Sequence, residues 1–251
     1  MGIDRGGFPL IFDGMNEYGV CIAGLNFKTS ARFFAARSGR VNLASHEIIP
    51  YVLAMAKSAL EAKNILTRVN ITADKFNTDT DIATLHFMVA DKKSSFIAEQ
   101  TEMGMSVYED RFGTLTNEPT YPLQLLLACR IPSINNGKRA SDFPCADLLS
   151  FGEGALGLPG DPSSPSRFAR AAFGVRFGCA KDKKEALATA ARILESVSVI
   201  RGSVSEGGED YKTRYLSVMD INDFKYYYRR YQDLEFACAS PSDTEGLTIL
   251  K

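Results

Sequence analysis

Histidine, cysteine and tryptophan are scarce in this sequence of 251 residues, which has two histidines, five cysteines and no tryptophan. The histidines, His46 and His86, are too few for the His-rich sites that most hydrolytic and metal-dependent enzymes use. The cysteines are odd in number, lie far apart and form no CxxC pair: Cys21, Cys129, Cys145, Cys179 and Cys238. We therefore expect neither a zinc site nor a disulfide framework, and we predict no metal ligands.

Long apolar runs and an excess of charge of one sign are also missing. No stretch is long enough to span a bilayer, and residues 1–6 lack the charged and apolar regions of a signal peptide. With 29 basic and 30 acidic residues, the formal net charge is −1, so no bulk field draws the chain to nucleic acid or to anionic membranes. We therefore expect a cytoplasmic protein with no membrane partner and no nucleic-acid partner.

The composition that remains is typical of a globular protein, with 45% hydrophobic and 24% charged residues. We expect one domain over residues 1–251, with 240–251 as a loose tail. A hairpin is predicted near the start, with its turn at Asp13 and Gly14. The predicted strands cover 8–12, 17–27, 83–90, 94–101, 105–108, 113–116, 213–221, 224–231 and 234–239, and the predicted helices include 44–69, 122–130 and 183–197. This succession predicts an α+β fold with helices layered over antiparallel sheets.

The segment 157–173 predicts a tight loop that leads into a helix. Pro159 and Gly160 mark a turn, Ser163 or Ser164 can cap the helix, and a proline follows in its first turn. Arg167 is then a cation in the first helical turn, where it faces the positive end of the helix dipole. Because that placement is unfavourable unless an anion compensates it, we expect Arg167 to be positioned for an anionic partner.

Three other features resemble functional motifs but favour ordinary structural roles. His86 lies in a predicted strand between Leu85 and Phe87, which favours a buried structural histidine with satisfied hydrogen bonds. Cys21 lies in an apolar strand with no cationic neighbour to favour a thiolate, so a buried thiol is the preferred interpretation. Residues 152–157 match GxGxxG, but a turn follows at once and would stop the required helix. We therefore predict loop glycines and no cofactor.

Several segments taken together resemble the choloylglycine hydrolases, the family that contains bile salt hydrolases and penicillin V acylases. The resemblance extends over about residues 8–231, and its segments occur in the family's order. These segments are 13–20 (DGMNEYGV), 23–27 (AGLNF), 113–120 (GTLTNEPT), 157–161 (GLPGD) with 166–168 (SRF), 201–203 (RGS) and 213–219 (TRYLSVM).

The resemblance implies an N-terminal-nucleophile hydrolase with an αββα sandwich. In such enzymes an N-terminal Cys attacks a linear amide, and its own α-amino group serves as the base. Because that amine titrates near neutrality, no histidine is needed. The implied substrates are small-molecule amides, with glycine- and taurine-conjugated bile salts first, and the family tends towards homotetramers.

Three residues match the family's active-site positions. Asn26 matches a position that helps to build the oxyanion hole, where bile salt hydrolases usually have Asn and penicillin V acylases often have Tyr. Asn117 matches a second asparagine suited to donating a hydrogen bond to the developing oxyanion. Arg167 matches the arginine beside the nucleophile, which favours a thiolate electrostatically. The resemblance therefore implies that Asn26, Asn117 and Arg167 are catalytic residues.

One departure from the family concerns the nucleophile itself. In the family a Cys heads the chain, and an Arg and an Asp follow it before the matched segments begin. Here the chain begins Met1-Gly2, and Cys21 matches a strand position within the family's body. We therefore expect an N-terminally truncated member. Two alternatives stay open, a catalytically inactive remnant or binding protein and an acylase that acts on penicillin V or acyl-homoserine lactones.

Overall fold

The computed structural model describes residues 2–5, 8–129, 134, 137, 154–155, 157–206 and 208–241. Its helices are α1 Ile48–Met55, α2 Ala59–Leu66, α3 Tyr121–Ala128, α4 Ser164–Phe177 and α5 Lys183–Ser196. Its strands are β1 Gly2–Arg5, β2 Phe8–Ile11, β3 Asp13–Met15, β4 Cys21–Asn26, β5 Val41–Ala44, β6 Val69–Thr72, β7 Leu85–Ala90, β8 Ser95–Thr101, β9 Gly104–Glu109, β10 Val204–Glu206, β11 Glu209–Tyr211, β12 Tyr215–Asp220, β13 Lys225–Arg230 and β14 Ala237–Ala239.

Two antiparallel sheets form the body of the fold. The larger has the strand order β3-β4-β7-β8-β9, and the smaller has the order β12-β13-β14. Three further pairs lie beside them: β1 with β2 and β10 with β11 are antiparallel, and β5 with β6 is parallel. The predicted meander of consecutive antiparallel strands is therefore confirmed for β7, β8 and β9.

The larger sheet is an inner layer because both of its faces are covered. Along β8 five successive residues are buried, from Phe96 to Gln100, although side chains on a strand alternate between the faces. One face packs its apolar side chains against α1 and α2, and the other packs against α3 and α4. The first core includes Ile22, Phe87, Val89, Ile49, Val52 and Leu66, and the second includes Ile97, Tyr121, Phe168 and Ala172.

The smaller sheet completes the layered arrangement. Helix α5 packs on β12 and on α4, and hydrogen bonds from β12 and β13 reach Asp13 on the edge strand of the larger sheet. The smaller sheet therefore joins the larger one at the β3 edge. The mixture of helices and antiparallel sheets confirms the expected α+β fold. No helix within the described ranges is long and apolar enough to cross a membrane.

The first hairpin turns later in the chain than the sequence predicts. Its turn lies at Asn16 to Gly19, where Asn16 Oδ1 accepts hydrogen bonds from the amides of Tyr18 and Val20. Gly19 has φ +77°, and a Cβ atom there would lie 2.6 Å from Ile221 Cγ2, so only glycine fits. Asp13, predicted to be in the turn, is instead in β3 and buried.

The long helix predicted over 44–69 is two helices. The chain is extended at Ser58, whose side chain caps α2 by accepting a hydrogen bond from the Glu61 amide. A serine in this role competes with helix continuation, because its hydroxyl satisfies an amide that would otherwise be unpaired.

The strand predicted over residues 113–116 is absent from the structure. Asp110 Oδ1 accepts hydrogen bonds from the amides of Phe112 and Gly113, and these bonds form a turn.

Other predicted elements agree with the structure. Helix α5 begins after Asp182, whose carboxylate accepts from the Glu185 amide as an N-cap. Strands β12, β13 and β14 occupy the three predicted C-terminal strand segments. Residues 242–251 of the predicted tail and Gly152 of the GxGxxG match lie outside the described residues.

Candidate active site

The three residues singled out in the sequence come from three separate elements. Asn26 is the last residue of β4, Asn117 lies in the loop between β9 and α3, and Arg167 is in the first turn of α4. Arg167 Nη2 donates a hydrogen bond to Asn117 Oδ1 at 2.6 Å. Asn117 Nδ2 in turn donates to the backbone oxygen of Asn26 at 2.9 Å. The structure therefore brings all three residues together.

The arrangement leaves amide hydrogens free to donate. Thr84 Oγ1 donates to Asn26 Oδ1 at 3.1 Å, so the oxygen of the exposed Asn26 amide is occupied and its nitrogen remains as the donor end. Asn117 uses one of the two hydrogens on its amide nitrogen for the Asn26 backbone oxygen. Asn26 and Asn117 therefore each have an amide hydrogen left to donate, and neutral amides are a donor type that stabilises a developing oxyanion.

Arg167 brings an uncompensated positive charge to this site. Its Nε donates to the Pro162 backbone oxygen at 3.0 Å, and within the described part of the chain no carboxylate pairs with it. Burial lowers the pKa of the Arg167 guanidinium, and the nearby charge of Arg170 lowers it further. An arginine stays protonated in spite of such a shift, so this half-buried cation favours an anion beside the two amides.

The loop before α4 is held by Arg170 and Asp161. Arg170 Nη1 donates to the backbone oxygens of Pro159 and Asp161, and its Nε donates to the Ser196 backbone oxygen at the end of α5. Asp161 accepts from the Ser163 amide and from Ser166 Oγ, and these hydrogen bonds lower its pKa to about 2. Ser163 is the N-cap residue, but its side chain makes no capping bond.

The loop that carries Asn117 is held by its own neighbours. Gln124 Nε2 donates to the backbone oxygens of Asn117 and Pro119 at 2.8 and 2.7 Å. Glu118 accepts from the amides of Thr29 and Ser30 and from Ser30 Oγ, which ties this loop to the segment after Asn26. Burial alone would raise the pKa of Glu118, but these hydrogen bonds outweigh it and hold the pKa below its usual value.

Comparison with known proteins identifies the family. The family model for linear amide C–N hydrolases, choloylglycine hydrolase family, matches residues 1–242.

The chain belongs to the choloylglycine hydrolase family.

Among its curated relatives in this family is a bile salt hydrolase/transferase of Lactiplantibacillus plantarum. It is 35% identical over 240 residues, which cover 93% of this chain and 74% of the relative. A conjugated bile acid hydrolase of Lactobacillus acidophilus is 34% identical over 248 residues, which cover 94% of this chain and 77% of the relative.

Solved structures agree with this membership. A mutant conjugated bile acid hydrolase from Clostridium perfringens superposes with a TM-score of 0.88 at 30% identity, covering 97% of this chain and 76% of that one. Penicillin V acylase from Agrobacterium tumefaciens superposes with a TM-score of 0.71 at 22% identity, covering 92% of this chain and 66% of that one, and supports the fold alone. The chain is therefore a choloylglycine hydrolase-type protein by family, and its family is one of amide hydrolases.

Cys21 is not suited to act as the nucleophile of this choloylglycine hydrolase fold. Burial, with the nearby charges of Asp13 and Asp91, raises the pKa of its thiol to about 12. It also begins β4 while Asn26 ends it, which separates the two by roughly 17 Å at about 3.3 Å per residue. The interpretation of Cys21 as an unreactive thiol therefore agrees with its surroundings.

Sequence reasoning missed the residues that support this family's site. Thr84, Glu99, Glu118 and Gln124 make hydrogen bonds to the site residues or to their loop, yet the first three do not stand out in the sequence. Gln124 alone offers a signal, because it is a polar residue within an apolar helix and is 1% exposed. His86 is completely buried with a partner on each ring nitrogen, as predicted.

Proposed function

We propose that this protein is a conjugated bile salt hydrolase, which cleaves the amide bond between a bile acid and glycine or taurine. The observation that carries the proposal is the chain of hydrogen bonds from Arg167 through Asn117 to Asn26. It combines two amide donors with the Arg167 cation, and the relatives from Lactiplantibacillus plantarum and Lactobacillus acidophilus are named for hydrolysis of bile salts or bile acids. Asn26, where penicillin V acylases often have Tyr, favours bile salts as the substrate.

In the proposed mechanism, the amides bind the oxygen that becomes negatively charged. A thiolate attacks the amide carbon, the carbonyl π-electrons move to oxygen, and this oxygen accepts hydrogen bonds from Asn26 Nδ2 and from the second hydrogen of Asn117 Nδ2. Collapse of this intermediate breaks the C–N bond, and the amine leaves with a proton from the α-ammonium group. Water then hydrolyses the thioester. One oxyanion donor contributes about 3 kcal/mol to transition-state stabilisation.

Arg167 has two tasks in this mechanism. Its positive charge favours the thiolate over the thiol, because an adjacent cation lowers a cysteine's pKa. Its hydrogen bond to Asn117 Oδ1 keeps the nitrogen of that amide directed away from Arg167 and available as a donor. The two tasks are separable, since lysine preserves the charge but does not reproduce the planar guanidinium.

The proposed mechanism requires a cysteine that supplies the thiolate. Cys21 does not supply this thiolate, because burial raises the pKa of its thiol to about 12. We propose an N-terminal Cys carried by a segment encoded before the Met1 codon. The coding sequence upstream should then continue in frame to an initiator Met followed by Cys.

The test compares two purified proteins, residues 1–251 and the form extended by that upstream segment. With glycocholate and taurocholate we expect the extended form to release the free bile acid, to lose activity with a thiol reagent, and to lose it when its N-terminal Cys is changed to Ala. Residues 1–251 alone should be inactive. Turnover by residues 1–251 that resists thiol reagents would contradict this mechanism.

Two other candidate functions are separated by the same preparations. A binding protein is the first of them, and the raised pKa of the Cys21 thiol, about 12, supports it because this thiol is not a nucleophile. It predicts calorimetric binding of glycocholate with no hydrolysis, together with a stop codon immediately before Met1. A penicillin V or acyl-homoserine-lactone acylase predicts faster turnover of those substrates than of glycocholate. Mass measurement of the native protein tests the homo-oligomer that the family resemblance implies.

A further inference from the structure

Two ionisable side chains in the core take no direct part in the proposed chemistry. His86 on β7 and Glu99 on β8 are both 0% exposed, and His86 Nδ1 lies 2.9 Å from Glu99 Oε1. The imidazole stacks on Phe27 with ring centroids 4.3 Å apart and an interplanar angle of 10°. Burying such a pair is costly unless every polar atom finds a partner, so the remaining partners of this pair indicate what it does.

The outer partners of the pair are the two ends of one loop. His86 Nε2 lies 2.6 Å from the backbone oxygen of Thr116. The Tyr121 amide donates to both oxygens of Glu99, at 2.9 and 3.1 Å. The loop between these anchors contains Asn117. We infer that His86 and Glu99 are positioning residues, which hold the loop from Thr116 to Tyr121 at both ends and thereby place the Asn117 amide against Asn26 and Arg167.

The direction of the hydrogen bonds follows from the partners. A carbonyl oxygen only accepts, so His86 Nε2 carries a hydrogen. The other ring nitrogen, Nδ1, lies within hydrogen-bond distance of Glu99 Oε1 at 2.9 Å. The chain of contacts therefore runs without a break from the Thr116 carbonyl through His86 and Glu99 to the Tyr121 amide.

The Thr116 carbonyl is an effective place from which to position Asn117. It belongs to the same planar peptide unit as the Asn117 N–H, so fixing its oxygen fixes the plane from which Asn117 begins. The Asn117 side chain then reaches both partners, Asn26 O at 2.9 Å and Arg167 Nη2 at 2.6 Å. Since a displacement of about 1 Å at a reacting group can lower a rate roughly a hundredfold, the geometry of this loop matters to the proposed reaction.

The role assigned to this pair rests on the proposed function of Asn117, but the position of Asn117 can be measured without turnover. The probes are the side-chain amide signal of Asn117 in a proton–nitrogen NMR spectrum and the hydrogen exchange of residues 114–121, both in the protein of residues 1–251. His86→Phe keeps a ring on Phe27 and removes both ring nitrogens. Glu99→Gln keeps an oxygen for the Tyr121 amide and a hydrogen-bonding group for His86.

We expect His86→Phe to raise exchange in residues 114–121 by about tenfold and to move the Asn117 amide signal, because one anchor of the loop is lost. Glu99→Gln should retain the wild-type signal and protection. Val89→Ala is the matched control, since Val89 lies buried on the same strand but faces α1 and α2. Even where Val89→Ala lowers the free energy of unfolding as much as His86→Phe does, it should leave the Asn117 amide signal at its wild-type position.

Two results would overturn the inference. One is an unchanged Asn117 signal and unchanged loop exchange in folded His86→Phe, and the other is an equal change in Val89→Ala. If His86→Phe does not fold, His86→Gln replaces it, because an amide cannot reach both Thr116 and Glu99 as the ring does. It should raise loop exchange about threefold, and wild-type exchange would contradict the inference.

An active extended form adds a kinetic readout. His86→Phe should lower kcat by about tenfold with KM within about twofold. The reason is that Asn117 donates to the oxygen that becomes negatively charged in the transition state, so its displacement affects the transition state more than the bound substrate. Glu99→Gln should restore most of kcat, and a loss confined to KM would count against the inference. If no form hydrolyses bile salts, the proposed function fails, while the NMR and exchange results still decide whether the pair positions Asn117.

Discussion

Arg167 determines which way the Asn117 amide faces. The guanidinium can only donate, so the atom of Asn117 that lies 2.6 Å from Arg167 Nη2 must be the amide oxygen. The nitrogen consequently faces the other way and donates to the backbone oxygen of Asn26 at 2.9 Å. Arg167, which the sequence singles out by its place in the first turn of a helix, therefore orients the Asn117 amide in addition to supplying a positive charge.

Two substitutions of Arg167 should distinguish the effect of its positive charge from its effect on the orientation of the Asn117 amide. In the form extended by the proposed upstream segment, Arg167→Met should lower kcat by about a hundredfold to a thousandfold, because both the charge and the Asn117 orientation are lost. Arg167→Lys should lower it by about tenfold, since the charge remains without the guanidinium geometry. Steady-state kinetics on glycocholate provide the measurement. Arg176→Met, an exposed arginine on the same helix, is the control and should keep wild-type activity.

Because of Glu118, the free energy of unfolding should depend on pH in the acidic range. The hydrogen bonds from Ser30 and Thr29 lower its pKa below the ordinary value for glutamate, about 4.3. Ionised Glu118 therefore stabilises the fold above pH 4.3, and this contribution disappears as the pH falls through the lower folded pKa.

We therefore expect Glu118→Gln to reduce the free energy of unfolding by about 1 kcal/mol at pH 7 and by clearly less near pH 3. Urea denaturation at both pH values measures the difference. Glu102→Gln, an exposed glutamate in the turn between β8 and β9, is the matched control and should change neither value. An effect of Glu118→Gln that is equal at both pH values would contradict the assignment.

Asp13 should be a major support between the two sheets. Tyr215 and Ser217 on β12 donate to its Oδ2 at 2.8 and 2.9 Å, and Tyr226 on β13 donates to its Oδ1 at 2.5 Å. Burial, together with the Asp13 charge, raises the pKa of both tyrosines, so both remain hydroxyl donors. Asparagine cannot accept from all of them, because one of its two polar atoms is itself a donor.

Asp13→Asn should therefore lower the free energy of unfolding by about 2–3 kcal/mol, and Tyr226→Phe by about 1 kcal/mol. Chemical denaturation followed by circular dichroism gives both values. Tyr227→Phe is the control, because the next residue on the same strand faces the opposite side of the sheet. A loss as large in Tyr227→Phe as in Tyr226→Phe would refute the specific role of Asp13.

The thiols should differ sharply in reactivity. Since the pKa of Cys21 is about 12, almost none of it is thiolate at pH 8, and it should resist alkylation in the folded protein. Cys129, Cys179 and Cys238 are exposed and should react. Timed alkylation followed by peptide mass spectrometry distinguishes them, with unfolded protein as the control in which Cys21 also reacts. Labelling of native Cys21 at the rate of Cys179 would disprove the burial argument.

Much of the fold follows from local sequence. Asp182 precedes a run of helix-forming residues and caps α5, and the alternating segment 83–90 and the returning segment 94–101 become the antiparallel pair β7 and β8. These signals act over a few residues, through caps and through side-chain periodicity, so they can be found without knowing the neighbours. The prediction was wrong where a distant contact decides the conformation, as at Asn16, whose amide donates to the Leu53 and Ala56 carbonyls.

The site divides in the same way between local signals and distant contacts. Sequence by itself selected Asn26, Asn117 and Arg167, through a helix-dipole argument and through the family resemblance. Only the tertiary structure decided that they touch, that Glu118 joins their loops, and that His86 and Glu99 lie beneath Asn117. The reason is physical: hydrogen-bond partners 50 or 91 residues apart are set by the order of strands in the sheet and by helix packing, which no local pattern encodes.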